Sequence, residues 1–246
     1  MDTEEQPGDG EPTLVWERPE PPGRAALSPL SRDRIVRAAI ELADADGLEA
    51  VSLRKVAAAL EAGPMRLYRY LSTKEELLDL MVDAVYGEIR SNGPEPDTGW
   101  REALRSHAHR VRHAALRHEW FVDLLGGRPH LGPEALGHLE ASLAALRGAP
   151  GFGGSIDAVL SAVATVNSYV IGAIRQEVAD LRAERVSGLN ERQWQRSVGP
   201  YLERMLATGR YPTLAEVVRD ATHPDADTVF DTGLDCVLDG VAARLA

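Results

Sequence analysis

The chain has 246 residues, of which 44% are hydrophobic and 26% charged, and its net charge is −11. This apolar content is sufficient for a folded core and excludes global disorder. A single cysteine, Cys236, excludes an intramolecular disulfide and favours a reducing, cytoplasmic setting. The N-terminus has no basic region followed by an apolar stretch, so a secretory signal peptide is not expected.

The longest uncharged run, 158–174, contains serine, threonine, asparagine and glycine. A membrane span needs roughly 20 mostly apolar residues, and this run is shorter and more polar. We therefore expect a buried helix and no membrane association.

Residues 1–27 are rich in acidic side chains, proline and glycine. Such a segment cannot bury enough apolar surface to offset its chain entropy, so we expect it to be a disordered extension. The apolar cluster around Trp16 is the exception, and packing of this cluster against the folded body remains open.

Helical patterns begin at Ser31, which is the predicted N-cap of a first helix ending at Gly47. Ser52 is the predicted N-cap of a short second helix that ends near residue 60. After a break at 61–63, a third helix is predicted over 64–71.

The third helix opens with Pro64, a residue whose missing N–H costs nothing at a first helical position. Thr73 and Glu76 have the spacing of a capping box, which predicts the start of a fourth helix. The segment 28–90 is therefore predicted to form one domain.

The turn-rich stretch 91–99 predicts a boundary, followed by a second domain over 98–246. No window shows sustained period-2 alternation of β-branched residues, so we predict an all-α fold. The further predicted helices cover about 100–118, 120–125, 133–147, 155–185, 190–207, 213–220 and 226–245.

Two short helices joined by a glycine-containing turn are typical of a helix-turn-helix, whose second helix enters the major groove of DNA. Leu67 and Leu71 are predicted to face a small core with Ile35, Leu42, Val56 and Leu60. The stretch 52–74 holds Arg54, Lys55, Arg66, Arg69 and Lys74 against Glu61, a local net charge of +4 in an acidic chain. This concentration of positive charge predicts contact with phosphates.

The string VSLRKVAAALEAGPMRLYRYLSTKEELLDLMVDAV resembles the DNA-binding domain of the tetracycline-repressor (TetR) family. The shared features are a Ser-x-Arg start, Ala-Ala-x-Leu spacing, Leu-Tyr-x-Tyr and a Lys-Glu-Glu-Leu-Leu helix opening. Two later strings, ALRHEWFVDLLGGRPHLGPEALGHLEASLAALR and FDTGLDCVLDGVAARL, resemble the C-terminal domain of the tetracycline-repressor subfamily. The resemblance implies a homodimeric transcriptional regulator, not an enzyme, that binds operator DNA and a small-molecule effector.

The resemblance also assigns roles to residues of the helix-turn-helix. Positions that match phosphate contacts are Ser52, Tyr70 and Lys74. Positions that match base-edge contacts are Arg54, Pro64, Met65 and Tyr68. Arg66 stands where the family often has a small hydroxyl residue, so its longer side chain is expected to reach either phosphate or base. Arginine suits guanine, and methionine or tyrosine suits a thymine methyl group.

Positions that match the effector pocket are Arg90, His107, Val111, Leu125, Arg128, His138 and Ser142. Leu125 stands where the family has a magnesium-binding histidine, so a magnesium–tetracycline complex is not expected. Further candidates, chosen as aromatic or polar groups among apolar neighbours, are Trp120, Phe121, Asn167 and Tyr169. Ordinary helix packing remains an alternative for each of these residues.

Small residues in 155–185 and an apolar stripe in 226–245 predict helix pairing across a two-fold axis, with an intramolecular core as the alternative. In the repressing state the two reading helices would lie roughly 34–36 Å apart, as successive major grooves require. An effector that prefers a splayed state would release the DNA.

Other chemistries have little support in the sequence. His109 and His113 lie one turn apart, but no carboxylate or cysteine completes a metal site, and no cofactor is expected. The glycines at 148–154 lack a following Lys-Ser/Thr, and there is no Gly-x-Ser-x-Gly elbow. A helical module that does not read DNA remains an alternative, and repression is not distinguished from activation.

Overall fold

The computed structural model describes residues 14–21, 30–91, 99–149, 155–222 and 224–244. Over these ranges the chain forms eleven α-helices and one short 3₁₀ helix, with no strand, so the predicted all-α fold is confirmed. The helices are α1 (Arg32–Asp46), the 3₁₀ helix (Leu48–Ala50), α2 (Leu53–Ala59), α3 (Pro64–Leu67), α4 (Lys74–Ser91), α5 (Trp100–Arg117), α6 (Phe121–Leu124), α7 (Pro133–Arg147), α8 (Ile156–Ser187), α9 (Glu191–Leu206), α10 (Pro212–Asp220) and α11 (Ala226–Ala242).

The chain divides into two compact units, Met1–Ala149 and Pro150–Ala246. The first unit contains α1 to α7 and the second contains α8 to α11. Helices α5 to α7, which the sequence analysis assigned to the second domain, pack with α4 in the first unit. The predicted division into a DNA-binding domain over 28–90 and an effector-binding and dimerisation domain over 98–246 remains a prediction.

The predicted helix caps around the helix-turn-helix are confirmed. The Ser31 hydroxyl accepts the Arg34 N–H at 3.2 Å, and the Ser52 hydroxyl accepts the Lys55 N–H at 3.2 Å. Each side chain thereby satisfies a backbone donor that the first helical turn leaves without a partner.

The third helix is shorter than predicted. Pro64 begins it, but the α-helix ends at Leu67 and continues as a turn through Tyr70. The Tyr68 N–H lies 3.4 Å from the Pro64 carbonyl oxygen, whereas the Tyr70 N–H turns to Leu67 at 2.8 Å. The last turn therefore tightens to i→i−3 bonding, as helix ends often do.

The capping box at the start of α4 forms as predicted and has an additional hydrogen bond. The Glu76 N–H donates to the Thr73 hydroxyl at 3.2 Å, as expected. The Glu76 carboxylate accepts from the Thr73 N–H, and it also accepts from the Ser72 N–H at 2.6 Å, with the Ser72 bond the larger influence on its pKa. The return bond is therefore shared between two residues, which fixes Ser72 against α4.

Part of the N-terminal extension is structured, around the apolar cluster that the sequence analysis left as an exception to disorder. Residues 14–21 are described, and Val15 within them is only 4% exposed. The Arg18 carbonyl accepts a hydrogen bond from the Arg32 side chain at 2.6 Å, so the segment packs against α1. The remainder of 1–27 lies outside the described residues.

Helix α4 is the central element of the first unit and contacts α1, α5, α6 and α7. Its buried apolar face surrounds Asp83, a carboxylate that is 7% exposed. Asp83 accepts the N–H groups of Glu134 and Ala135, both at 2.9 Å, so α4 caps the start of α7. A Cβ at Gly132 would collide with Asp83, which explains the glycine. Burial raises the pKa of Asp83 despite these two bonds.

In the second unit, α8 packs against α11. The facing side chains are Val159, Val163, Val166, Val170, Ile174, Phe230, Leu234, Leu238 and Val241. Most of the α11 stripe that was predicted to pair across a dimer is therefore buried within the chain. Val229 remains 54% exposed, and Leu245 lies outside the described residues.

By length and composition alone, α8 could cross a membrane, a property that core helices share. The expected burial of this helix occurs on one face only. The opposite face exposes Ser161, Thr165, Ser168 and Gly172, together with Leu160, which is 54% exposed.

Candidate DNA-binding face and effector core

The head, defined as α1, α2, α3 and the start of α4, is built on a small apolar core. Ile35, Val56 and Leu67 are completely buried, and Leu71 is 1% exposed. Leu42 and Leu60, also predicted here, are half-buried at its edge. Burial of Leu67 and Leu71 fixes the rotation of α3 and decides which of its side chains face solvent.

The predicted base-reading side chains lie on that solvent face. Met65 is 77% exposed and Tyr68 51% exposed, on either side of the buried Leu67. Pro64 and Arg66 on α3 are also exposed, as is Arg54 on α2. Such exposure of large apolar groups costs solvation free energy unless another molecule covers them.

Two of the three predicted phosphate contacts remain accessible, and the third does not. Ser52 and Lys74, the two ends of the basic stretch 52–74, are half-exposed. Tyr70 is 8% exposed, and its hydroxyl donates to the Leu30 carbonyl at 2.8 Å. The structure therefore uses Tyr70 to hold the chain before α1, which corrects its assignment as a phosphate contact.

The turn between α2 and α3 contains a conformational exception. Glu61 has φ of 51°, a left-handed conformation that side chains other than glycine seldom adopt. Glu61 is the acidic residue within the stretch 52–74, whose net charge is +4, and its side chain is exposed. The turn is held because the Ala62 N–H reaches the Ala57 carbonyl at 2.8 Å.

Three of the predicted effector residues meet in the core between α5 and α7. The His107 Nδ1 atom lies 3.0 Å from the Ser142 hydroxyl, and the His107 ring stacks on His138 with centroids 5.0 Å apart. Tyr86 of α4 lies 5.2 Å from the His138 ring. We call Tyr86, His107, His138 and Ser142 the histidine cluster. Tyr86 was missed because no motif marks it, although it lies one turn before Arg90.

Burial sets the protonation of this cluster. It lowers the pKa of His107 to about 4, with a contribution from the charge of Arg110. It lowers the pKa of His138 to about 3, aided by the neighbouring His107, Arg110 and Arg90. Burial also raises the pKa of Tyr86 to about 12. At neutral pH these groups are uncharged, and each can donate and accept hydrogen bonds.

The other predicted effector residues are more scattered. Val111, Trp120 and Leu125 are buried in the first unit. Arg90 pairs with Glu134 at 2.6 Å, and Arg128 is exposed.

Two predicted effector residues, Asn167 and Tyr169, belong to the second unit. Asn167 is half-buried on α8. The Tyr169 hydroxyl donates to the Phe230 carbonyl at 2.7 Å, so this side chain helps to pack α8 against α11.

Partly buried polar contacts join α1 of the head to α4 and to the residues between α5 and α6. Asp44, at the end of α1, lies 2.8 Å from His118 Nδ1 and accepts the Trp120 indole N–H at 2.7 Å. His118 Nε2 lies 3.3 Å from a Glu88 carboxylate oxygen on α4. His118 and Trp120 are each 2% exposed. We call Asp44, Glu88, His118 and Trp120 the polar bridge.

A separate open cleft of about 470 Å³ lies between α4 and α5. Its lining residues are Glu88, Ile89, Glu102, Arg105, Ser106, His109, Arg110, His113, Ala114 and Arg117. His109 and His113 therefore line a cleft. Among the residues that the structure describes, no group of three or more His, Cys, Asp or Glu side chains is placed to hold a metal ion.

A basic helix-turn-helix with exposed reading side chains, carried on a helical core, defines a DNA-binding regulator. Two family models match the chain: "Bacterial regulatory proteins, tetR family" over residues 35–81 and "Tetracyclin repressor-like, C-terminal domain" over residues 93–245. The chain belongs to the TetR family of transcriptional regulators and is not an enzyme.

Individual relatives agree with this assignment. The HTH-type transcriptional repressor DrrR1 of Streptomyces coeruleorubidus is 39% identical over 95% of this chain and 85% of its own length. The class E tetracycline repressor of Escherichia coli is 25% identical over 89% of this chain and 94% of its own. The crystal structure of ActR from Streptomyces coelicolor with (S)-DNPA has a TM-score of 0.72 and 26% identity, covering 89% of this chain and all of that one.

Proposed function

We propose that this regulator acts in the cytoplasm as a homodimeric repressor that reads an operator with α3 and is released by a small organic effector. The observation that carries the proposal is the alternation on α3, where Leu67 is buried while Met65 and Tyr68 are exposed. A short helix with this alternation and a basic surround fits the major groove.

Within the head, side chains of different chemistry take different roles. Arg54, Pro64, Met65 and Tyr68 contact base edges, and Arg66 reaches either base or phosphate. Ser52 and Lys74 contact phosphates, because both lie at helix starts where backbone N–H groups also favour anions. The side chain of Tyr70 is left out of this interface.

Dimerisation is proposed to use the outer face of α8 with the exposed part of α11. The small side chains of α8 allow another helix to approach closely, and Leu160 and Val229 offer apolar area. A two-fold pairing of α8 and α11 would give a four-helix bundle. Leu160→Glu tests this, because a charge there should convert the dimer to monomers in light scattering while helical circular dichroism is retained.

The histidine cluster is proposed as the effector-recognition element. Stacked uncharged imidazoles beside a tyrosine favour a planar aromatic ligand that carries hydroxyl or carbonyl groups. An effector with a permanent positive charge is disfavoured, since the positive charges of Arg90 and Arg110 already lie near these rings. A solved structure of ActR contains actinorhodin, which supports an organic effector for this chain.

The polar bridge is proposed to carry the effector signal to the head. Asp44 belongs to the head, whereas Trp120 directly precedes α6 on the effector side. An effector that binds one arrangement of α4 to α7 more tightly than another would favour, through these contacts, the matching position of the head. The size of this population shift is set by the difference between its affinities for the two arrangements.

The decisive experiment is selection of genomic fragments by the purified protein, followed by binding titrations. Tyr68→Ala and Arg54→Ala should lose specific operator binding while the protein stays folded and dimeric. Arg37→Ala, which removes an exposed charge elsewhere on the head, is the matched control. Full affinity in both test variants would contradict the assignment. Absence of wild-type binding at any salt concentration would instead favour a helical module that does not read DNA.

A further inference from the structure

The N-terminal segment 14–21 contacts the junction between α3 and α4. The Arg18 Nη1 group donates to the Ser72 hydroxyl at 2.6 Å, and Nη2 lies 2.5 Å from a Glu76 carboxylate oxygen. Ser72 precedes α4, and Glu76 lies in its first turn. One guanidinium group therefore contacts both the residue segment that leads into α4 and the first turn of α4.

The same segment is tied to the start of α1. Arg32 donates through Nη1 to the Arg18 carbonyl at 2.6 Å and through Nε to the Tyr70 carbonyl at 3.3 Å. Its backbone N–H lies 3.2 Å from a Glu20 carboxylate oxygen. The segment, the first helix and the α3–α4 junction thus form one continuous hydrogen-bonded set.

These contacts are partly removed from water. The side chains of Arg18 and Glu76 are 29% and 23% exposed, less than a pair on an open surface. Charge-assisted hydrogen bonds in such settings are stronger than exposed ion pairs. Burial alone raises the pKa of Glu76, but the Ser72 N–H and the Arg18 guanidinium outweigh it, and the pKa lies below its ordinary value of 4.5. The carboxylate is thereby held in its charged form.

The junction is also where phosphate contact is proposed. Lys74 lies between Ser72 and Glu76 in sequence, so the orientation of its backbone depends on both. Residues 14–21, by contrast, lie outside the ranges 35–81 and 93–245 that the two family models match.

We propose that residues 14–21 form a latch that belongs to the DNA-reading head, with Arg18 as a positioning residue for the start of α4. The latch holds the α3–α4 junction in the geometry that presents Lys74 to a backbone phosphate. The DNA-reading part rests on the proposed function, whereas the ordering of the junction does not.

The test uses the full chain with Arg18→Ala, and Arg37→Ala as a matched loss of one arginine from the head. Hydrogen exchange of the free protein is expected to be about tenfold faster at the amides of Ser72 and Glu76 in Arg18→Ala and unchanged in Arg37→Ala. Operator affinity is expected to fall about tenfold in Arg18→Ala, with the salt dependence of binding unchanged.

The latch would be overturned if Arg18→Ala kept the wild-type rates of hydrogen exchange at Ser72 and Glu76. It would also be overturned if Arg18→Ala kept the wild-type affinity for the operator. A slope of log affinity against log salt reduced by about 0.9 would overturn the positioning role, because Arg18 would then contact a phosphate itself. If Arg18→Ala does not fold, Arg18→Lys replaces it and is expected to give smaller shifts in the same directions. Exchange is measured without DNA, so failure of the wild type to bind an operator would reject the proposed function separately.

Discussion

Acid should destabilise this protein through the two stacked imidazoles of the histidine cluster. In the folded chain the pKa of His107 is about 4 and that of His138 about 3, whereas a histidine in the unfolded chain has its ordinary value of 6.5. Below pH 6.5 the unfolded chain therefore binds more protons than the folded one. Folding stability decreases as the pH is lowered, until the pH is below the pKa values of both histidines in the folded chain.

The size of the effect follows from these values. Between pH 7 and pH 5, each site should lower the free energy of unfolding by about 2 kcal/mol, or about 4 kcal/mol together. The two side chains are 7% and 8% exposed, so solvent screens little of this.

Urea unfolding followed by circular dichroism at fixed protein concentration measures the difference. The double variant His107→Asn, His138→Asn should lose most of this pH dependence, and His113→Asn, on an exposed position of the same helix, should keep it. Equal unfolding free energies of the wild type at pH 7 and pH 5 would refute the reasoning. So would an undiminished fall with pH in the double variant.

The remaining predictions concern the turn, the bridge and the α7 cap. Asp44→Asn should shift the effector concentration for half-release about fivefold or more, with operator affinity within about twofold in anisotropy titrations; an unchanged midpoint would reject the bridge. Gly132→Ala should destabilise by about 1–3 kcal/mol in urea unfolding, because its Cβ meets Asp83, whereas Gly127→Ala has open space and should not. Glu61→Gly should stabilise by about 1 kcal/mol by relieving the left-handed conformation; a lower unfolding midpoint would contradict this.

The helical architecture could be predicted closely from the sequence because local signals specify it. Capping serines at 31 and 52, a proline at 64 and glycine-rich breaks are interactions over three or four residues, which a sequence displays directly. The exposed set on α3 follows in the same way from the four-residue spacing of Leu67 and Leu71. The shortened end of α3 could not be predicted, because it depends on which carbonyl Tyr70 bonds.

What the sequence concealed depends on contacts between distant residues. Tyr70 matches a phosphate-contact position, yet its hydroxyl is used by the Leu30 carbonyl, 40 positions earlier. Arg18 lies in a segment whose composition indicates disorder, but its partner Ser72 is 54 positions away. Composition reports the average cost of ordering a segment and not a specific guanidinium site that offsets it.

The cap that α4 supplies to α7 has a mechanical consequence. A helix normally draws its N-terminal cap from its own chain just upstream, but α7 depends on the Asp83 carboxylate of α4. If α4 swung away alone, two backbone donors and a buried carboxylate would lose their partners together. The two helices must therefore move together, so that a displacement of α7 is transmitted through α4 to the reading head while the Asp83 hydrogen bonds stay intact.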